Sequence, residues 1–381
     1  LGGAPRSGPV KQYIDPDKFV AEAKPVTFEE YKPTHEFADF AIDERIKRNV
    51  ADKGYKIPTP IQDQTIPLML EGKDVVGIAA TGTGKTGAFA IPMLHSLLKA
   101  KEGRALILAP TRELAQQIAE ETESFAKGCN VRVALLIGGA SMNLQVRDLR
   151  ANPQVVIGTP GRVRDHIRHG TLKLSTVSIL VLDEVDRMLD MGFIADISSI
   201  LANVPKERQS LFFSATVDTK VESLIRGFSR DPETVSTRTT SENVATANVR
   251  QDVVYCRYQG EKIEKLHDIL IKEKDCKVLI FEDTKRAVER LGRELHARGF
   301  RVDELHGDKT QAQRARALQR FKADQVDILV ATDVAARGLD IDGITHVINF
   351  SVPNCYDDYV HRVGRAGRAG RTGVALTFLV K

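Results

Sequence analysis

"VVGIAATGTGKTGAFAIP" occupies residues 75–92. Its opening apolar run reads as a buried strand and its closing run as a helix. Between them lies a glycine-rich turn, Thr81, Gly82, Thr83 and Gly84, that ends on Lys85 and Thr86. Strand, glycine turn and helix in that order are the context of a phosphate-binding loop. Gly82 and Gly84 let backbone N–H groups come close to phosphates, and the helix presents its positive amino end. Lys85 is placed to reach terminal phosphates and the Thr86 hydroxyl to ligate Mg²⁺. Ala79 stands where the usual pattern has its first glycine. The plainer alternative is a glycine-rich turn before a surface helix.

Outward from this loop the same alternation repeats. "RALILAP" (104–110), "VRVALLIGG" (131–139), "QVVIGTP" (154–160), "SILVLDE" (178–184) and "SLFFSAT" (210–216) read as further buried strands separated by helical patterns. Such alternation predicts a mostly parallel sheet covered by helices on both faces. The polar stretch "RDPETVSTRTTSENVATANV" (230–249) interrupts it and reads as a linker. Alternation resumes with "QDVVYC", "KVLIFED", "RVDELHG", "VDILVATD", "THVINF" and "VALTFLV". The expectation is two α/β domains joined by about a dozen flexible residues. The boundaries are an amino-terminal extension over 1–36, partly disordered, a first domain over 37–235, a linker over 236–249 and a second domain over 250–381. Residues 1–10 read as a flexible tail.

Composition sets limits on this reading. The 381 residues exceed one ordinary core and suit two. Net charge is +4, which permits a nucleic-acid partner without implying one. No apolar run approaches the roughly 20 residues of a membrane-spanning helix. The four cysteines lie far apart, with no zinc or disulfide spacing, and suit reduced thiols. For the same reason His306 and His361 are not read as metal ligands.

Residues 183–186, "DEVD", follow a buried strand. After a phosphate loop, Asp183 is placed to orient a magnesium ion and Glu184 to polarise an attacking water. The alternative is the acidic first turn of a helix, favoured by the helix dipole.

These motifs, in this order, resemble the DEAD-box ATP-dependent RNA helicases over about residues 37–381. The resemblance implies two RecA-like domains, ATP and Mg²⁺ as cofactors, and RNA as partner. "GYKIPTPIQ" (54–62) resembles the family's Q motif, which implies that Gln62 reads the adenine edge while Phe37 and Tyr55 hold the base. "PTRELA" (110–115), Gly138–Gly139 and "TPGR" (159–162) match RNA-contacting segments, implying contacts from Pro110, Thr111, Arg112, Gly139, Thr159, Pro160, Gly161 and Arg162. In "SAT" the Ser214 and Thr216 hydroxyls are expected to bond Asp186 and couple nucleotide state to domain closure. "HGDKTQAQR" (306–314) places Gly307, Gln311 and Arg314 near the RNA backbone. "LVATDVAARGLDI" (329–341) places Gly338 and Asp340 towards the ribose, and Thr332, Asp333 and Arg337 towards RNA and the interdomain contacts. "HRVGRAGRAGR" (361–371) supplies His361 for coupling and Arg365 and Arg368 for the γ-phosphate, Arg368 being the preferred arginine finger.

Three positions depart from the commonest family pattern: Val185, Ala366 and the acidic "LIFEDT" (279–284). The implied activity is RNA-stimulated ATP hydrolysis with local, non-processive unwinding of short duplexes. An ATP-gated RNA clamp is the alternative, and a DNA-directed helicase is disfavoured by the Q motif. RNA would be held by its backbone, with little sequence preference. The further expectations are a monomer, no membrane association, and a cytoplasmic location, or a nuclear one in a eukaryote.

Overall fold

The computed structural model describes residues 13–23, 31–80, 82–100, 102–237, 248–273, 276–336, 341, 343–367 and 372–381. The chain divides into two compact units. One comprises residues 29–238, and the other residues 1–28 together with 239–381.

The first body is built on a seven-stranded sheet: β1 (Val75–Ile78), β2 (Arg104–Leu108), β3 (Val133–Leu136), β4 (Val155–Gly158), β5 (Val177–Leu182), β6 (Gln209–Ser214) and β7 (Glu233–Ser236). Their spatial order is β3-β4-β2-β5-β6-β1-β7, with parallel pairing throughout. Side chains alternate between two apolar layers. Ala105, Ile107, Ile179, Val181, Leu211 and Phe213 lie in one, and Leu106, Leu108, Leu180, Leu182 and Phe212 in the other. Burial on both faces explains why these strands read as unbroken apolar runs. Around them lie α1 (Glu44–Asp52), α2 (Pro60–Leu70), α3 (Lys85–Lys99), α4 (Arg112–Phe125), α5 (Met142–Arg150), α6 (Pro160–Arg168), α7 (Val185–Asp190), α8 (Ile194–Leu201) and α9 (Thr219–Phe228).

The strand β7 corrects the linker reading of 230–249. It pairs with β1 at the sheet edge, and only Val235 of its four residues is buried. With three of four side chains facing out, it carries too little apolar signal to be read as a strand.

The second body holds a six-stranded sheet: β8 (Val249–Cys256), β9 (Val278–Phe281), β10 (Val302–Leu305), β11 (Ile328–Ala331), β12 (His346–Asn349) and β13 (Gly373–Val380). Their order is β10-β11-β9-β12-β13-β8, again parallel. Residues 13–23 of the amino-terminal stretch pack against this body. Phe19 is buried, its ring 4.8 Å from that of Tyr359, and Ala21 bridges antiparallel to Gln251 on the edge strand β8. The Tyr359 hydroxyl in turn donates to Gln251 Oε1 at 2.7 Å. Among the described residues no helix is long and apolar enough to cross a membrane.

Candidate active site

The predicted site residues of each body gather where parallel strands end, the position at which open α/β sheets place their ligands. In the first body, Gly82 (φ +80°) and Gly84 (φ +86°) adopt the left-handed backbone that glycine tolerates. Lys85 and Thr86 then open α3. The Thr83 hydroxyl donates to the Ala80 carbonyl at 2.8 Å and tightens the loop. Lys85 is buried. Its ammonium donates to the Ala79 carbonyl at 3.2 Å and lies 3.8 Å from Asp183 Oδ1.

Gln62 links this loop to the preceding motif. Its Oε1 accepts from the Thr59 N–H at 2.9 Å, and its Nε2 donates to the Gly84 carbonyl at 3.0 Å. A side chain at Gly84 would bring a Cβ within 2.6 Å of that amide nitrogen. The glycine is therefore required by the loop's conformation and by the approach of Gln62 together. Phe37 and Tyr55 stand 6.0 Å apart, and Phe37 also meets Phe40 edge-on at 5.9 Å. Phe37 is only 6% exposed, so most of its ring belongs to the core. Next to Gln62, Asp63 accepts from the Tyr31 hydroxyl, the Thr34 N–H and His35 Nδ1 at 2.6–2.7 Å. Burial alone would raise its carboxyl, but these donors outweigh burial and hold it below the ordinary value.

Asp183 follows the last residue of β5, and its carboxyl accepts from the Glu184 N–H at 2.9 Å. Burial is the main force that pushes this carboxyl up to about 6. The Lys85 charge opposes it, and the Glu184 and Asp186 charges add to it. Glu184 has φ +53°, a strained corner for a non-glycine residue, and its Oε2 accepts from Arg187 Nη1 at 2.7 Å in a buried pair. Sequence reading missed Arg187. Asp186 Oδ2 accepts from the Thr216 hydroxyl at 3.0 Å and from the Ala215 and Thr216 N–H groups. The Ser214 hydroxyl also bonds Asp186, at its backbone: it accepts from the Asp186 N–H at 3.3 Å and donates to the Thr216 carbonyl. The carboxylate oxygen is filled by the Thr216 side instead. Val185 is fully buried in the same apolar layer as Leu182 and Met188, so the departure from the family pattern sits in the core.

The order β3-β4-β2 sets three further loops side by side. Pro110 and Thr111 follow β2, and the Thr111 hydroxyl caps α4 by accepting from the Leu114 N–H. The Arg112 guanidinium lies over Gly138 and Gly139, so tightly that a Cβ on Gly139 would collide with it. Thr159, Pro160 and Gly161 lead into α6, and Arg162 Nη1 donates to the Ala140 carbonyl and to Gln145 Oε1, both at 3.1 Å. Gln145 Nε2 completes the strap by donating to the Ile137 carbonyl. His166 Nε2 lies 3.1 Å from the same Gln145 oxygen. Neither Gln145 nor His166 stands out in the sequence.

In the second body, Gly307 is exposed, Gln311 opens the helix Gln311–Lys322, and Arg314 is buried, with Nη1 donating to the His306 carbonyl at 3.2 Å. The Thr332 N–H donates to the Leu305 carbonyl, which joins this loop to the end of β11. Both Asp333 carboxylate oxygens accept from Arg362, at 2.6 Å each. Arg362 also donates to Asn349 Oδ1 and the Ser351 carbonyl, and its guanidinium covers the Phe281 ring at 5.0 Å. Asp333 thus anchors a buried cation, a role its motif did not announce. The acidic departure at 279–284 fits the same cluster: Asp283 lies 4.0 Å from Arg362, and Glu282 bonds the Ser351 hydroxyl. Ala366 meets Gly373, where a Cβ would come within 2.7 Å of its own. His361 lies in the last turn of the helix Tyr356–Val363, and Arg365 is buried just beyond it. Thr81, Arg337, Gly338, Asp340 and Arg368 lie outside the described residues.

The DEAD/DEAH box helicase family matches residues 59–224, and the helicase conserved C-terminal domain matches residues 261–370. The ATP-dependent RNA helicase CshA of Limosilactobacillus reuteri is 45% identical over 344 residues, covering 90% of this chain and 69% of that one. The chain belongs to the DEAD-box ATP-dependent RNA helicases. CshA of Listeria monocytogenes is 47% identical, again over 90% of this chain but 66% of its own length. A structure of S. cerevisiae Dbp5, bound to RNA and ADP BeF3, matches with a TM-score of 0.80 and 29% identity, over 91% of this chain and 89% of that one. The two parallel sheets of this DEAD-box protein are therefore two RecA-like domains.

Proposed function

We propose that this DEAD-box protein hydrolyses ATP in response to RNA. We further propose that it uses the cycle for local, non-processive opening of short duplexes or remodelling of RNA–protein complexes. The observation that carries the reading is the convergence of Lys85, Asp183 and Glu184 in one buried cluster at the ends of β1 and β5. Asp183 also supports a divalent cation. A buried carboxyl raised to about 6, with its lysine no closer than 3.8 Å, is short of positive charge. Thr86 and Asp183 would hold Mg²⁺, which supplies charge neutralisation at the phosphates when bound.

On this reading Lys85 binds the terminal phosphates and the Gly82–Gly84 backbone cradles them. Glu184 orients the attacking water and takes its proton. Gln62 selects the base, and its bond to the Gly84 carbonyl lets base recognition shape the phosphate loop. Arg365 and Arg368 would complete the site on domain closure, and Asp186 with Thr216 would report nucleotide state. Arg112 and Arg162, braced on the Gly138–Ala140 loop, grip RNA through its phosphates, so affinity falls steeply with salt and varies little with sequence.

The test is ATP hydrolysis with and without RNA. Lys85→Ala is expected to lose nucleotide binding. Glu184→Gln is expected to bind ATP but turn over little, and normal turnover there would remove Glu184 from its assigned role. A strand-displacement assay separates unwinding from clamping: RNA-stimulated hydrolysis without displacement of a short duplex would favour the clamp.

A further inference from the structure

At the opposite end of the second sheet, three residues of a different chemistry converge. Glu273 follows the helix Glu261–Lys272, Cys276 precedes β9, and His346 opens β12, the neighbour of β9. One ligand atom from each lies within 4.8 Å of the other two. Strands β9 and β12 run away from this cluster for four residues each, about 13 Å. Asp333 and Arg362 follow strand carboxyl ends, so the cluster takes no part in the site described above.

The hydrogen bonding around His346 points to a cation site. The Thr345 hydroxyl accepts from the Lys277 N–H at 3.0 Å, and at 3.2 Å from the Lys277 carbonyl it is placed to donate there. Its one proton goes either to that carbonyl or to His346 Nδ1, 2.9 Å away; a metal at the ring selects the first arrangement, in which Nδ1 carries the ring proton and the Nε2 lone pair is aimed out of the other side. That atom is buried without a hydrogen-bond partner, on a residue only 6% exposed. It faces Glu273 Oε2 at 3.9 Å. In that arrangement Nε2 and the Glu273 carboxylate are electron-pair donors facing one another beside a thiol, a set that a metal ion between them stabilises. The Thr345 hydroxyl on Nδ1 is the outer-shell bond that fixes the tautomer of a ligating histidine.

We propose that Glu273, Cys276 and His346 form a binding site for a divalent transition metal, with Zn²⁺ the best match. A thiolate, an imidazole and a carboxylate are borderline ligands that select zinc over magnesium or calcium. Zinc bonds of about 2.0–2.3 Å place tetrahedral ligands about 3.4 Å apart, so the His346–Glu273 pair needs to close by about half an ångström and no pair by more than about 1.4 Å. Three protein ligands leave a fourth position for water. The thiol gives up its proton on binding, and the ion clips the helix end and the loop before β9 to the start of β12.

The test uses the full chain, stripped with a chelator and held in excess Mg²⁺ to occupy the nucleotide site. Titration with Co²⁺ is expected to raise a near-ultraviolet thiolate-to-metal band that saturates at one equivalent and is bleached by Zn²⁺. Cys276→Ser is expected to abolish the band, and Glu273→Gln, a change at an exposed side chain, to weaken the Co²⁺ affinity at least tenfold. Asp183→Asn should leave the band intact. RNA-stimulated ATPase of Cys276→Ser should match wild type, which also shows that the variant is folded. Absence of the band in wild type, its persistence in Cys276→Ser, or its loss in Asp183→Asn overturns the proposal.

Discussion

Replacing Arg187 with alanine should damage the first body and its chemistry together. Glu184 and Arg187 meet at 2.7 Å with side chains 5% and 4% exposed. At an effective dielectric near 20, such a pair attracts by about 6 kcal/mol, largely offset by taking both charges out of water. Removing Arg187 takes the guanidinium away from a buried carboxylate, which costs about 3–5 kcal/mol. Arg187→Ala is therefore expected to lower the urea-unfolding free energy of the first body by that amount. The double variant Glu184→Gln with Arg187→Met removes both charges and should recover most of the loss. Arg187 also holds Glu184 at a backbone corner of φ +53° and has no contact with the phosphate loop among its described bonds. Turnover of RNA-stimulated ATPase should then fall in Arg187→Ala while ATP affinity stays near wild type, and Arg187→Lys should restore part of the turnover. A loss below about 1 kcal/mol in Arg187→Ala, or a double variant as unstable as the single one, would refute the buried-charge reasoning.

Other perturbations follow from the same structure. The folded Asp63 carboxyl lies below its ordinary value, so its stabilisation is complete above the unfolded pKa of about 3.9 and disappears as pH falls through the folded one. Urea unfolding across the acid range should show this slope, and Asp63→Asn should flatten it while lowering neutral-pH stability by about 1–3 kcal/mol. Phe19→Ala should cost about 3 kcal/mol at most, because the arm can undock once its anchor is lost; faster proteolysis within residues 13–23 is the readout. Val185→Ala should cost about 1–3 kcal/mol by thermal unfolding with ATP hydrolysis retained, since its side chain lies in the core and not at the phosphates.

The strands and the phosphate loop were legible because their chemistry is local. Residues 105–108 or 278–281 must be apolar throughout to be buried on both faces, and the Gly82–Thr86 loop carries its geometry in five consecutive positions. What escaped the sequence depends on contacts that only the folded backbone makes. Arg187 and Arg362 read as solvated charges on helices until the fold supplies Glu184 at a strained corner and Asp333 from 29 residues away. Gln145 is one more polar residue on a surface helix until α5 sets it between Arg162 and His166. The arm over 13–23 has one large apolar anchor, Phe19, too little to establish a period. Glu273 and His346 lie 73 residues apart and with Cys276 match no ligand spacing; only the adjacency of β9 and β12 assembles them. Gly84 and Gly139 carry a left-handed backbone, with φ +86° and +78°, and Gln62 and Arg112 occupy the space beside them, so these motifs owe part of their pattern to packing within one body. A side chain at Gly139 should therefore strain the backbone and displace the Arg112 guanidinium, and under the proposed role of Arg112 the measured RNA affinity should fall with it.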